Sequence, residues 1–316
     1  MSNNLDRLTS DLLSFFGQRG FNHIDPIPVV QPEDSSTLFT IAGVQNFGSM
    51  IEDIHGKGKY MNVQPCLRMD DINEIINTQS IHHVLFNMFG LFDYYATDTG
   101  MYFDLFLELF DQLLKTDPGI DVRVHPNLFS DLLTTSEYDF KLNCVRTKYN
   151  RYYINTDESM VWKVKDSKTD GYCIEFYVNE LEILNMVFTP IGNHYFMDVG
   201  LGLERLNFVV NKERVPTKEK LLVPIAVLLD EGITPSNKKH GYVLRKLIRL
   251  YLRSTGVKTT LLQNLLHESE ALDKITTKAQ HLLKGKSEVT QSERTNLFDT
   301  YGIDEDTINF VLYEKV

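Results

Sequence analysis

The 316 residues include only three cysteines and one tryptophan. No two cysteines form a C-x-x-C pair and none stands with histidines at zinc spacing, which excludes a disulfide-stapled scaffold and a structural zinc cluster. No run approaches the roughly 20 apolar residues that cross a bilayer, so no membrane partner is expected. The opening MSNNLDRLTSDLL has no basic segment followed by an apolar one. No export signal is read there, and a cytoplasmic protein is expected. An excess of basic charge is also missing: 32 Lys and Arg stand against 43 Asp and Glu, a net charge of −11. That balance excludes a protein that holds nucleic acid through a broadly basic surface. G-x-x-x-x-G-K-[ST], a strand-linked G-x-G-x-x-G, G-x-S-x-G and H-E-x-x-H are all absent, which removes the common nucleotide-loop, serine-hydrolase and zinc-protease chemistries.

What remains is a composition of ordinary globular character, 24% charged and 42% hydrophobic, long enough for about two domains. Leu5, Leu8, Leu12, Leu13, Phe15 and Phe16 recur at helical spacing before Gly17 and Gly20, which predicts an amphipathic helix over residues 4–19 that packs on a sheet. From about residue 25 to 210, short apolar runs (LFTI, YMNV, YYIN, VWKV, CIEFYV) alternate with turn residues, the pattern of mostly antiparallel strands. A wide apolar face from Met101 to Leu113 predicts a helix over 101–115. After residue 210, LLVPIAVLLDEG, GYVLRKLIRLYLRS, TTLLQNLLHESEALDKI and TINFVLYEKV all read at a 3.6-residue period. The fold class is therefore α+β, an antiparallel sheet flanked by helices in residues 1–208, followed by an all-helical domain in 209–316. VVNKERVPTKEK (209–220) is the linker candidate.

Local features narrow the chemistry. Lys238, Lys239, His240, Arg245, Lys246, Arg249 and Arg253 crowd into sixteen residues of an acidic chain, either a solvated helix face or a nucleic-acid patch. HGKGKY (55–60) reads as a turn. His82 and His83 suggest a metal only weakly, because adjacent strand residues face opposite sides and no third ligand is evident. In VQPCLRMDDINEI (63–75) and IHHVLFNMFGLFDYY (81–95), an arginine, a loop and a returning strand with aromatics form a platform that neutralises a phosphate and stacks a base. LEILNMVFTP (181–190) and the glycine-rich turn in DVGLGLERL (198–206) add a second arginine where backbone approaches closely.

As an ordered set these segments resemble the second and third signature motifs of class II aminoacyl-tRNA synthetases, most closely those of the alanyl-tRNA synthetase family. TLFTIAGVQNF (37–47) is similar to that family's L-F-T-N-A-G-M-N-Q-F, HHVLFNMFG to H-H-T-F-F-E-M-L-G, and DVGLGLER to D-T-G-M-G-L-E-R. DEGITPSNKKHGYVLRKLIR (230–249) and NLFDTYGID (296–304) extend the resemblance into the helical part, so that it runs from about residue 5 to 305. It implies ATP and Mg²⁺ as cofactors and an α-phosphate held by Arg68, which also meets the amino-acid carboxylate. It further implies adenine between Phe86 and Arg205, with Met88, Glu175 and Gly202 completing the ATP site. Asn185 and Asp198 are implied to hold the α-ammonium, Gly200 to leave room for a small substrate, and Trp162 either to close a methyl-sized pocket or to pack in the core. In the helical part Asn237 and Asp299 are implied to flank the acceptor-stem G·U pair of alanine tRNA, with Arg245, Arg249 and Arg253 meeting phosphates or forming an ion-pair face.

The chain departs from the family pattern at Ile41, Asn87, Leu91 and Leu184, and its loop after Arg68 reads more like the archaeal form. The sequence ends soon after the helices, which reads as a short form without an editing domain. Two activities are expected in order: a minimal alanyl-tRNA synthetase that uses alanine and tRNA, and a paralogue that activates a small amino acid for a non-tRNA acceptor. A monomer is expected, with a dimer as the alternative.

Overall fold

Strict alternation in segments such as IDVRV (120–124) commits one side of the strand to a core and leaves the other side for polar residues. The computed structural model of the chain describes residues 3–31, 37–47, 58–69, 72–75, 80–132, 138–139, 142–163, 170–256 and 263–313. By backbone proximity the chain divides into two units, Met1–Lys220 and Leu221–Val316. The division falls at the end of the charged 209–220 stretch rather than at its start, because helix-forming residues in that stretch continue into the next element.

The first unit is built on one sheet. Its strands are β1 (Asn22–His23), β2 (Lys59–Leu67), β3 (Leu85–Ala96), β4 (Ile120–Val124), β5 (Tyr138–Asp139), β6 (Cys144–Arg146), β7 (Arg151–Thr156), β8 (Val161–Trp162), β9 (Gly171–Val178), β10 (Leu181–Ile191) and β11 (His194–Gly202). Among the described residues they run in the order β1-β2-β3-β11-β10-β9-β4-β7-β6-β5, with β8 also paired to β9. Among the described residues only the β1–β2 and β4–β7 pairs are parallel. The α+β class and the expected strands YMNV, YYIN and CIEFYV are present, whereas Val161 and Trp162 form only a two-residue strand. LFTI (38–41) is not a strand: it is an irregular segment, tied across through Thr40 to Val29 and Leu67. The start of HGKGKY lies outside the described residues, and Lys59 and Tyr60 already belong to β2.

Helices cover the apolar back of this sheet. In α1 (Asn3–Gly17), Leu5, Leu8, Leu12, Phe15 and Phe16 are buried as the spacing predicts. The Phe16 ring lies 5.5 Å from that of Phe89 on β3. After the four-residue α2 (Ile72–Ile75), the long α3 (Thr99–Leu113) starts at Asp98, whose carboxylate caps the backbone N–H of Met101 at 2.9 Å. α4 (Pro126–Leu132) and α5 (Leu203–Asn211) complete the layer. The 3₁₀ helix Gly43–Phe47 covers the lower front of the sheet, where Phe47, Phe92, Tyr94 and Phe196 form a small second core. Among the described residues, the upper front of the sheet carries a cleft.

The helix α6 (Thr217–Asp230) crosses the division and leads into the second unit, which contains α7 (Lys239–Thr255), α8 (Gln263–Leu282), α9 (Gln291–Tyr301) and α10 (Glu305–Tyr313). Ala279, Leu283, Val289, Leu297, Ile303, Ile308 and Val311 form its local core. Periodicity alone does not find α9, because only Leu297 of that helix is buried. The usable signal is its capping box, in which the Thr290 N–H donates to Glu293 at 2.9 Å and the Glu293 N–H donates to the Thr290 hydroxyl at 3.3 Å. Residues 259–262 of the expected third helical stretch after residue 210 lie outside the described residues.

Candidate functional site

Sheet register brings the candidate residues together. Asn185 is paired with Glu175 on one side and Gly200 on the other, Gly200 with Gly90, and Gly90 with Asn62. Directly paired residues share a face, so this row spans the open front. Val187 and Asp198 pair in the row below, and Gly202, Met88 and Gln64 lie in the row above. Gly90 belongs there for a steric reason: a Cβ would stand 2.5 Å from Asn62 Oδ1 and 2.7 Å from the Phe92 ring. Above Gly200 the space is not empty, because a Cβ would lie 3.1 Å from the Met88 sulfur. The room expected over Gly200 is thus taken by the flexible Met88 side chain.

A cleft of about 570 Å³, counted with its open mouth, lies on this face. Arg68, Phe86, Met88, Gly200, Gly202 and Arg205, widely separated in sequence, all line it. Arg68 follows the last residue of β2, and its backbone N–H still donates to Val84 at 2.9 Å, which holds it in line with the strand. Its Nε donates to the Ile41 carbonyl at 2.9 Å, and its guanidinium lies 5.3 Å from the Phe86 ring centroid. Arg205, on the first turn of α5, donates to the Glu182 carbonyl at 3.2 Å and lies 3.6 Å from the Glu182 carboxylate.

Ile81, His83, Glu182, Ile183 and Glu204 also line the cleft. Strand and helix patterning does not single out the two carboxylates, although Glu204 directly precedes Arg205 and Glu182 lies three residues before Asn185. Those positions were the available signal. Glu204 accepts from the Asn87 backbone N–H at 3.0 Å and from its side-chain amide at 3.0 Å. Asn87, a departure from the family pattern, thereby holds the motif glutamate. Burial nevertheless raises Glu204 to about 7. Burial also lifts Asp198 to about 7, and it pushes the Cys66 thiol up to about 12, which leaves it an inert neighbour. His83 sits in irregular chain rather than on a strand. Burial, followed by the charges of Lys220, His82 and Arg205, lowers it to about 3, so the ring is neutral. Among the described residues no group of three or more His, Cys, Asp or Glu is placed to hold a metal ion.

Four candidates of the first unit are outside the cleft lining: Asn185 and Asp198, which occupy neighbouring rows of the same sheet face, and Glu175 and Trp162. Glu175 lies beside Asn185, its carboxylate accepting from Asn185 Nδ2 at 3.1 Å and from the Tyr177 hydroxyl. The structure therefore gives it amide and phenol partners in the sheet and no place in the cleft lining. Trp162 pairs with Gly171 at the margin of β9 and is 38% exposed, which excludes the core-packing alternative.

In the helical unit, Asn237 and Asp299 are exposed. Asn237 Oδ1 accepts from Arg245 Nη1, so Arg245 orients this amide. Arg249 and Arg253 do not present their charge to solvent. Arg249 is 5% exposed and lies 2.9 Å from Asp304, and Arg253 lies 3.7 Å from the same carboxylate. The expectation that they meet phosphates gives way to the ion-pair face, because i, i+4 spacing on α7 also matches the reach of a carboxylate on the adjoining chain. Residues 221–316 hold thirteen Lys and Arg against twelve Asp and Glu, so the net acidity of the chain belongs wholly to the first unit.

Known proteins resemble this chain in sequence. Residues 7–185 match the family model of class II (A) tRNA synthetases. An alanine–tRNA ligase of Buchnera aphidicola subsp. Baizongia pistaciae is 25% identical over 80% of this chain and 37% of its own length. That of Buchnera aphidicola subsp. Acyrthosiphon pisum is 23% identical over 99% of this chain and 42% of its own length. A third, from Methanosarcina acetivorans, is 24% identical over 95% of this chain and 43% of its own. The chain thus spans about two-fifths of the length of these relatives. With its model covering more than half of the residues, from α1 to the Asn185 row of the sheet, the chain belongs to the class II tRNA synthetases.

Proposed function

We propose that this chain activates alanine with ATP to alanyl-adenylate and passes the alanyl group to tRNA. The observation that carries the reading is the convergence of Arg68, Phe86, Gly202 and Arg205 on one cleft, with Asn185 and Asp198 on the same sheet face. In the first step an alanine carboxylate oxygen bonds to the α-phosphorus of ATP and pyrophosphate leaves. Arg68 supplies a fixed cation between the two reacting groups, which suits charge that develops there. Phe86 and Arg205 bracket the adenine, and Asp198 with the Asn185 carbonyl oxygen holds the α-ammonium. In the second step a ribose hydroxyl of the tRNA terminus attacks the alanyl carbonyl and AMP leaves.

The donor set suits a magnesium ion bound mainly through phosphates, since two carboxylates, Glu182 and Glu204, border the cleft. Mg²⁺ held there would neutralise phosphate charge. Asn87 keeps Glu204 pointed and Glu182 keeps Arg205 in place.

Asp198 gives the reading a pH signature. An ammonium needs the ionised carboxylate, and burial sets that ionisation at about 7. The kcat/KM for alanine in ATP–pyrophosphate exchange should rise with pH through about 7 to a plateau, and Asp198→Asn should reduce the inflection to the part that Glu204, also raised to about 7, contributes. A flat profile in the unaltered protein would count against this assignment. The stability sign is opposite: the folded state binds this proton more tightly, so ionisation of Asp198 weakens folding as pH rises from the ordinary carboxylate range to about 7.

The acceptor is tested separately. Labelled alanine is followed into acid-precipitable RNA with ATP, Mg²⁺ and a tRNA pool. Asn237 and Asp299 are the exposed pair suited to reading a wobble pair in the minor groove of the acceptor stem. Asp299→Ala should lower charging at least about tenfold, as loss of a base contact does, with exchange intact. AMP release without charged tRNA would redirect the second step to a small-molecule acceptor.

A further inference from the structure

The sense of the Asn185 amide is set by what stands beside it. Its Nδ2 donates to Glu175 Oε1 at 3.1 Å across a directly paired row, and its Oδ1 is buried without a hydrogen-bond partner. The second Glu175 oxygen, Oε2, accepts from the Tyr177 hydroxyl, whose ring carries the Arg123 guanidinium at 4.2 Å. Both carboxylate oxygens thus have donors within the sheet. An amide turned by 180° would set Oδ1 against a carboxylate oxygen, two acceptors with no proton between them. Glu175 excludes that orientation. An oxygen buried without a donor is costly unless a ligand supplies one, and Asp198, in the neighbouring row of the same face, favours a donor with positive charge.

We infer that Glu175 is a positioning residue: it locks Asn185 so that the carbonyl oxygen, and not the NH₂, faces the amino-acid α-ammonium. The inference rests on the proposed amino-acid activation and deepens it, and it moves Glu175 from the nucleotide to the amino-acid end of the site. Its chemical consequence is selection of an ammonium over a hydroxyl. With the amide free to turn, Asn185 can offer an N–H to the oxygen of a 2-hydroxy acid.

The test measures alanine-dependent ATP–pyrophosphate exchange and its inhibition by L-lactate for the unaltered chain, Glu175→Gln and Tyr177→Phe. A glutamine at 175 pairs with either sense of the Asn185 amide, so the lock is lost while the shape is kept. Glu175→Gln should raise the KM for alanine about tenfold, leave the KM for ATP within about twofold, and narrow the preference for alanine over lactate about tenfold. Tyr177→Phe, which removes one support of Glu175 but not its bond to Asn185, should shift the same quantities in the same direction by less. A raised KM for ATP with an unchanged KM for alanine would overturn the inference and assign Glu175 to the nucleotide. An unchanged alanine-to-lactate ratio in Glu175→Gln would overturn it as well. Absence of alanine-dependent exchange in the unaltered chain would instead overturn the proposed activity itself.

Discussion

Arg68→Ala should lower the kcat/KM for ATP–pyrophosphate exchange by about 10³-fold, with the unfolding transition nearly unchanged. The expectation follows from how the side chain is held. Its Nε is engaged by the Ile41 carbonyl at 2.9 Å, which orients the guanidinium and uses the one donor that a bidentate pair of Nη groups does not need. Lysine would restore the charge but not the fork, so Arg68→Lys should recover only a small part of the rate. Arg68 lies outside the buried core, and its loss opens no cavity. Exchange within tenfold of the unaltered chain would remove Arg68 from the reacting centre. A parallel fall in unfolding free energy would reduce it to a structural tie between β2 and the segment around Ile41.

Arg249→Ala should cost the helical unit about 1.5–3 kcal/mol, because Asp304 loses its closest cation while Arg253 and Thr307 remain on it. Burial by itself pushes Asp304 up. Hydrogen bonds from Thr307, followed by Arg253 and Arg249, outweigh that and hold it below the ordinary carboxylate range. A lowered carboxylate contributes stability that is present above its unfolded value near 3.8 and is lost as pH falls through the folded one. The Arg249→Ala penalty should therefore be full at neutral pH and shrink under acid. Asp304→Ala should cost at least as much, because it also removes the acceptor of the Thr307 N–H in the first turn of α10 and the carboxylate beside Arg253. Chemical unfolding reads both variants. Weakened tRNA charging by Arg249→Ala without any loss of unfolding free energy would return this arginine to a phosphate-binding role.

These two arginines show where sequence reading succeeds and where it stops. Arg68 lies between two apolar-rich segments, VQPC before it and LFNMFG after it, that both read as strands. Its placement on a sheet platform was therefore legible, as was the aromatic Phe86 on the returning strand. Arg249 was legible only as a member of a cationic helical stripe. Spacing on one helix says that Arg245, Arg249 and Arg253 point alike, but Asp304, 55 residues further on, decides that two of them are consumed in an ion pair. The same holds for Glu175 and Asn185. Each occupies a strand position that alternation assigns to the polar face, yet their bond depends on the register of β9 against β10, which shifts between Glu182 and Leu184. One residue of slippage would have put Glu175 elsewhere, and a local pattern does not contain that information.

The sequence by itself determined the element types, the α+β class and the helical second part, because apolar periodicity of 2 and 3.6 dictates which residues must leave water. It also determined which residue types reach the open face of the sheet. Tertiary structure alone decided which charges remain available. It filled the space above Gly200 with Met88, gave Glu204 to Asn87 and Arg249 to Asp304, and left the oxygen of Asn185 buried and waiting for a donor. Pairings of that kind depend on distances between residues far apart in the chain, and those distances exist only after the sheet has chosen its register and the helices have docked.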